Sequence, residues 1–179
     1  MTNCEDDLLV SRAGKGEHAA FEVLVNRHLD AVLGFAERMI GTRADAEDIA
    51  QDTFAKAWQQ ARRWKPGQAQ YRTWLFQLAM NLIRDRWRKQ RPSEPLDDTI
   101  ADTQATPDSQ LQSAAQAARV NAALQQLPER QRAAIILNHY HGLGNIETAL
   151  AMDASVESVE SLLGRARRSL RQSLNSERV

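Results

Sequence analysis

Nine cations and three of the chain's four tryptophans fall between Arg62 and Arg91, in RRWKPGQAQYRTWLFQLAMNLIRDRWRKQR. The cations are Arg62, Arg63, Lys65, Arg72, Arg84, Arg86, Arg88, Lys89 and Arg91. One acid, Asp85, opposes them, which leaves +8 in a chain whose formal net charge is +0. Cations attract phosphates, and aromatic faces receive unstacked bases with little regard to sequence. The stretch therefore suits contact with nucleic acid. It equally fits a solvated basic helix whose Trp and Leu side chains are core, and composition alone does not separate the two.

A second row is acidic. Asp45, Asp48 and Asp52 stand at i, i+3 and i+7, with Glu47 and Gln51 beside them, so they share one face of a helix. Acids in a first turn are ordinary helix-dipole chemistry, which covers Asp45 and Glu47 but not Asp48 and Asp52. The row is a solvated face or a dock for a basic partner. Carboxylate pairs can also transfer protons or hold metal, but this convex face lacks a ligand set. His139 and His141 are two apart, not the i, i+4 pairing that grips a metal, and His18 and His28 have no evident ligand partners. With Cys4 the only cysteine, neither a disulfide nor a Cys-based zinc site can form within one chain. No catalytic residues, metal site or cofactor are expected, and an enzyme acting on nucleic acid is disfavoured.

The elements that must position these rows are helical. Ala, Leu, Gln, Arg and Glu dominate, and no alternating β-branched run suggests a strand. From Glu17 to Ile40, Phe21, Leu24, Val25, His28, Val32, Phe35, Ala36 and Met39 make a buried stripe that stops at Gly41. Thr42 with Asp45 reads as a capping box for the next helix, whose buried stripe is Ala46, Ile49, Ala50, Thr53, Ala57 and Trp58. A loop over Arg62–Gln70, broken by Pro66-Gly67, leads to a helix over Tyr71–Arg91. Tyr71, Trp74, Leu75, Leu78 and Leu82 form its core stripe, while Gln77, Asn81, Arg84, Arg88 and Arg91 line the other side. Such a row of amides and guanidiniums can meet phosphates and base edges together.

Composition then shifts. Pro92 to Pro107 carries Glu94, Asp97, Asp98 and Asp102 with no cation and no helical period, and 92–106 reads as an acidic linker. Thr106-Pro107 opens a further helix to Leu127, burying Leu111, Ala115, Val120, Ala123, Leu124 and Leu127. Glu129–Tyr140 follows with Ala133, Ile136, Leu137 and Tyr140 inside, then Asn145–Met152. Ser155 caps a last helix to about Leu174 that buries Val156, Val159, Leu163, Ala166 and Leu170. A short helix, a tight turn at Asp153-Ala154 and a longer helix make a helix-turn-helix pattern. Arg165, Arg167, Arg168 and Arg171 enrich its second helix, although the dipole alone also favours basic C-terminal turns.

The predicted fold class is thus all-α: two small helical domains joined by a flexible acidic linker, the C-terminal one a four-helix module with a helix-turn-helix. The boundaries are 1–91, 92–106 and 107–179 in a chain of 179 residues. No stretch reaches transmembrane length, and the N-terminus MTNCEDDLLV is acidic where a signal peptide would be basic. A cytoplasmic protein without membrane insertion is expected.

The order DAEDIAQDTFAKAW, loop, YRTWLFQLAMNLIRDRWRKQR, acidic linker, LQQLPERQRAAIILNHYHGL and a helix-turn-helix ending in GRARRSLR resembles the extracytoplasmic-function (ECF) sigma factors. The resemblance spans about Leu8 to Leu174 and implies the second and fourth sigma regions. It implies that Asp45, Glu47, Asp48, Gln51 and Asp52 dock on the β′ clamp helices of core RNA polymerase, with the β flap a further contact. It implies −10 promoter recognition and melting by Arg63, Trp64, Lys65, Gln68, Tyr71, Asn81, Arg84, Arg88 and Lys89. It implies −35 contacts from Ser155, Glu157, Ser158, Glu160, Ser161, Arg165 and Arg168. It further implies an anti-sigma partner, often membrane-anchored in this family, and no cofactor.

The sequence departs from the family pattern at the recognition helix, where Glu160 and Leu162 stand in place of the usual Lys or Arg, with Glu157 nearby. Asp153 replaces a common Gly, and Thr148 a usual aliphatic residue. An acid at base edges can accept from a cytosine amino group, so Glu157 or Glu160 could set specificity. A helix-turn-helix repressor or activator acting without polymerase is the alternative; it would bind duplex DNA tightly on its own.

Overall fold

The structure is a computed structural model that describes residues 2–67, 69–90 and 109–176. The linker 92–106, Gln68 and the side chains of Leu111 and Ala115 lie outside the described residues. The described chain is helical, with no strand. Its elements are α1 (Thr2–Gly14), α2 (His18–Ile40), α3 (Arg43–Gln60), a 3₁₀ turn (Ala61–Arg63) and α4 (Tyr71–Gln90). After the linker come α5 (Ser109–Gln125), α6 (Glu129–Ile135), α7 (Asn145–Met152) and α8 (Val156–Ser176). No helix among the described residues is long and apolar enough to cross a membrane.

The first half is built on α2. Its stripe buries Leu24, His28, Val32, Phe35, Ala36 and Met39 as the periodicity predicts, with Phe21 and Val25 only partly covered. α3 packs along it through Ala46, Ile49, Ala50, Thr53 and Ala57, and also through Phe54, which the sequence stripe omitted. Trp58 is partly buried, stacked on His18 at 4.6 Å between ring centroids. The Thr42 capping box takes a different form: the Thr42 hydroxyl donates to Asp45 Oδ2 at 2.6 Å, and no side chain caps the backbone there.

α1 is an element the sequence reading did not assign. It covers α2 and the 3₁₀ turn, burying Val10 and Ala13. Asp6 is 4% exposed and accepts from Arg27 and from His28 Nε2, the latter at 2.8 Å. Burial holds the His28 pKa below its usual value, and the hydrogen bond to Asp6 opposes that shift.

α6 and its continuation differ from a single regular helix. Ile136–Tyr140 winds as a π turn, with the His141 N–H donating to Ile136 O at 3.2 Å. The turn rotates Tyr140 outward, so it is 38% exposed rather than core, and the Arg38 guanidinium lies over its ring. In the helix-turn-helix, α7 ends on Asp153 in the left-handed region (φ 51), where the sequence has no glycine. Ala154 N–H closes that turn on Ala149 O at 3.0 Å. α8 buries Val159, Leu163 and Ala166, while Val156 and Leu170 sit partly covered.

One continuous apolar core runs through both halves. α4 packs on α2 and α3 on one side and on α7 on the other. Accordingly it is covered almost all round. Phe76, Ala79, Met80 and Ile83, at i, i+3, i+4 and i+7, are buried in addition to Tyr71, Leu75 and Leu78.

Candidate functional site

The acidic row stands on α3 as its spacing requires, on the face opposite Ala46, Ile49 and Ala50. Glu47, Asp48, Gln51 and Asp52 are exposed. Asp45 is half-covered, because Arg86 of α4 crosses to its carboxylate and lies 3.9 Å from Asp48 Oδ2. Glu47 accepts from Arg43 Nε at 2.8 Å, one turn back along the same helix. Arg43 also approaches Glu37 at 3.4 Å, and these carboxylates raise its pKa. The ridge is therefore anchored at its N-terminal end and open at Asp48, Gln51 and Asp52. Arg86, counted in the sequence only as part of the basic run, is the residue that ties ridge to basic helix. An i, i+4 search cannot find a partner 41 residues away.

The loop before α4 separates into two kinds of residue. Arg63 and Lys65 are exposed, as are Pro66 and Gly67. Trp64 is held: its indole Nε1–H donates to Asp7 Oδ1 at 3.0 Å, and its ring lies 5.1 Å from Trp74 and 5.8 Å from Tyr71. Trp64 thus packs against α1. Tyr71 is 1% exposed beneath it, with its hydroxyl pKa raised by burial and by the Asp6 charge. Tyr71 forms the floor of this aromatic cluster and does not present its ring at the surface.

Along α4, Asn81, Arg88 and Lys89 are exposed. Arg88 pairs with Asp85 at 3.0 Å, one turn away on the surface, where such a pair is readily exchanged for phosphate. Arg84 is partly buried, and its guanidinium donates to Met152 O at 2.7 Å. The row therefore has exposed members around one that is already engaged.

At the other end, Ser155 Oγ accepts from Ser158 N–H at 3.2 Å and starts α8 as an N-cap. Glu157 is fully exposed, and hydrogen bonds from its own backbone N–H and from Ser155 lower its pKa, so it is an anion at neutral pH. Glu160 and Ser161 are exposed one turn on, with Glu160 Oε1 accepting from Asn145 Nδ2 at 3.3 Å. Arg165 and Arg168 are exposed along the following turns, and Arg167 leans toward Asn138 Oδ1 at 3.4 Å. The acids lie at the N-terminal turns of α8, which a helix-turn-helix presents to base edges, and the cations lie further along. Among the described residues no group of three or more His, Cys, Asp or Glu is placed to hold a metal ion.

Residues 24–93 match the Sigma-70 region 2 family and residues 117–170 match Sigma-70, region 4. The RNA polymerase sigma factor CnrH of Cupriavidus metallidurans is 32% identical over 96% of this chain and 95% of its own length. The ECF RNA polymerase sigma factor SigW of Bacillus subtilis is 28% identical over 92% of this chain and 94% of its own. Among solved structures, CnrH in complex with the cytosolic domain of CnrY covers 96% of this chain and 98% of that one, at 31% identity and a TM-score of 0.73. The sigma factor RpoE in complex with the anti-sigma factor NepR, from Bartonella quintana, covers 87% of this chain and 96% of that one, at 26% identity and a TM-score of 0.71. These matches run through the acidic ridge, the basic helix and the helix-turn-helix alike. The chain belongs to the ECF RNA polymerase sigma factors, which are transcription initiation factors and not enzymes.

Proposed function

We propose that the two surfaces bridged by Arg86 divide the work of initiation in this chain. The open end of the α3 ridge, Asp48, Gln51 and Asp52 with Glu47, docks on the basic β′ clamp helices of core RNA polymerase. Asn81, Arg88 and Lys89 of α4, with Arg63 and Lys65 of the preceding loop, take the −10 strand. Trp64 and Tyr71 support that loop from below, and Arg84 joins the row only when its hold on Met152 is released. Residues 1–91 form the polymerase-binding and −10 module. Residues 107–179 form the −35 module, which also meets the β flap, and 92–106 connects the two.

The observation that carries this reading is the anchoring of an exposed carboxylate face to an exposed basic face by one interhelical ion pair. Opposite charges on one rigid frame would steer a basic protein surface and a phosphate strand to adjacent positions. Melting needs no cofactor, since unstacking costs a few kcal/mol per step and contacts to the captured strand return it. CnrH and RpoE have been solved with CnrY and NepR, and a membrane-tethered partner of that anti-sigma class is proposed for this chain. The factor works where the polymerase is, in the cytoplasm.

Run-off transcription with core polymerase plus this protein on a genomic promoter library tests the reading. Initiation at a discrete set of promoters is expected. Absence of any factor-dependent transcript, with the protein bound tightly to duplex DNA on its own, would replace this reading by that of a helix-turn-helix repressor or activator.

A further inference from the structure

Helix α1 carries two adjacent acids that reach different parts of the fold. Asp6 accepts from Arg27 and from His28 Nε2, which ties α1 to α2. Asp7, about 100° further round the helix, accepts from the Trp64 indole at 3.0 Å and ties α1 to the loop before α4. The carboxyl end of α1 makes a second, closer contact with the same segment. A Cβ at Gly14 would lie 3.0 Å from Ala61 O and 3.2 Å from Arg62 Cα, so any side chain there would push on the backbone of the 3₁₀ turn. Arg62 Nε donates to Gly14 O at 3.1 Å, where the last carbonyls of a helix lack partners within it. Asp7 and Gly14, about two turns apart on α1, thus hold the segment Ala61–Trp64 at two points. Arg63 and Lys65, the cations on either side of Trp64, are exposed.

We infer that α1 positions the strand-binding loop, with Asp7 and Gly14 as its positioning residues. The inference rests on the promoter reading above, in which Arg63 and Lys65 take the −10 strand. Asp7 acts through Trp64, and Gly14 through the 3₁₀ turn. Trp64 has an extended backbone (φ −59, ψ 133) and turns its ring in against Trp74 and Tyr71, so fixing the indole fixes where the flanking cations stand. Ring packing alone leaves an indole free to slide between its neighbours. A hydrogen bond to a carboxylate fixes which edge faces α1, and it is stronger than one to a neutral acceptor. α1 is itself set by Asp6 against α2, on which α3 and α4 also pack. The loop is therefore referenced to the same frame that carries the acidic ridge. Holding a loop in its bound form lowers the ordering cost of capture, so releasing it weakens binding without removing any contact to the strand.

The test uses the full chain bound to core polymerase, with a fluorescein-labelled, mixed-sequence single-stranded DNA as probe and core polymerase alone as the baseline. Asp7→Ala should weaken strand binding about fivefold and leave affinity for core polymerase unchanged. Charge alone predicts the opposite sign, since removing an acid beside a basic loop favours phosphate. Asp7→Asn keeps an acceptor for the indole without the charge, and should bind the strand at least as tightly as wild type. Hydrogen–deuterium exchange of residues 61–67 in the free protein should rise in Asp7→Ala and in Gly14→Ala, with exchange in α2 unchanged. In a Trp64→Phe background, which lacks the donor, Asp7→Ala should cause no further weakening. Unchanged exchange of 61–67 in both α1 variants would overturn the inference. So would an asparagine variant as weak as the alanine one. Strand binding that Lys65→Ala weakens and Asp7→Ala does not would overturn the positioning role alone. Strand binding unaffected by either would overturn the promoter reading of the loop, and the positioning role with it.

Discussion

The guanidinium of Arg132 crosses from the second half of the chain to the carbonyl oxygen of Met39, 2.7 Å away, at the end of α2. Its other nitrogen contacts Gln125 O and reaches Leu127 O at 3.1 Å, so one side chain satisfies carbonyls on both halves. Burial lowers its pKa, but a guanidinium has far to fall before it loses its proton at neutral pH. Hydrogen bonds from charged donors are worth about 1.5–3 kcal/mol each, less what water recovers when they are lost. Arg132→Ala should therefore cost about 2–3 kcal/mol in chemical denaturation. Arg132→Lys should recover less than half of it, since an ammonium cannot hold the fork. A lysine variant as stable as wild type would show that the charge alone, and not the forked geometry, secures this joint.

A second buried cluster sits under α1. Asp6 accepts from both Arg27 and His28, and His28 packs edge-on against Tyr71 at 5.4 Å. Removing the carboxylate leaves the buried His28 imidazole without its hydrogen-bond partner, while Arg27 keeps Glu5 at 3.6 Å, a change that typically costs about 1–3 kcal/mol. Asp6→Ala should lower stability by that order, while Leu8→Ala, 67% exposed on the same helix, should be near neutral. Equal effects from the two would mean that α1 contributes through its general packing and not through Asp6.

The helices were legible because their apolar residues recur at helical spacing, and α2 shows how far that goes: six of its eight stripe residues are buried and the other two partly covered. What escaped was tertiary. α1 carries little apolar periodicity, and its role rests on Asp6 and Asp7, whose partners lie 21 to 57 residues away. The second stripe of α4 was in the sequence as Phe76, Ala79, Met80 and Ile83. A helix apolar on both sides signals burial on both sides, but periodicity does not say which element covers the second side. Tyr140 was placed inside by a 3.6-residue period that the π turn breaks. The candidate site residues were chosen by type and spacing, which locate a face but not its occupancy. Arg84 and Asp45 lie on the expected faces and are engaged there by Met152 and Arg86.

The same joint contains a titratable group. His141 is held near a pKa of about 4 by burial first and then by the charges of Arg38 and Arg72, and its Nε2 has no hydrogen-bond partner. Those two guanidiniums, from α2 and α4, both disfavour a second positive charge in the joint. In the unfolded chain the imidazole returns to its ordinary value of about 6.5. Because the folded state binds fewer protons between those values, the stability this site contributes is full above about pH 6.5 and is lost progressively as pH falls from there toward 4. His28 is also depressed, so raw stability falls in the same direction for a second reason. Comparing wild type with His141→Phe, which keeps a ring against Phe76 and removes the titration, isolates the joint. Stability in chemical denaturation should fall more steeply on acidification from pH 6.5 in wild type than in the phenylalanine variant. A parallel response in both would assign the effect elsewhere.

The division of labour between α3 and α4 is best tested at residues that do nothing else. Asp45 and Arg84 are poor probes, since each is committed to an intramolecular contact and its loss disturbs the frame as well as the surface. Asp52 on the ridge, and Asn81 and Lys89 on the basic row, are exposed. Asp52→Ala should weaken binding to core polymerase about tenfold, the equivalent of about 1.4 kcal/mol, and leave opening of a preformed promoter complex unchanged. Asn81→Ala should retain polymerase affinity and slow promoter opening. Lys89→Ala should also retain it, and should reduce the slope of log affinity for single-stranded DNA against log salt by about 0.7, the signature of one lost phosphate contact. These readouts separate because a clamp-helix contact is made before and after melting, whereas a contact to the exposed strand exists only once the duplex has parted. If all three substitutions reduce polymerase binding and opening in proportion, the two faces act as one surface, and the Arg86 bridge between them joins parts of a single interface.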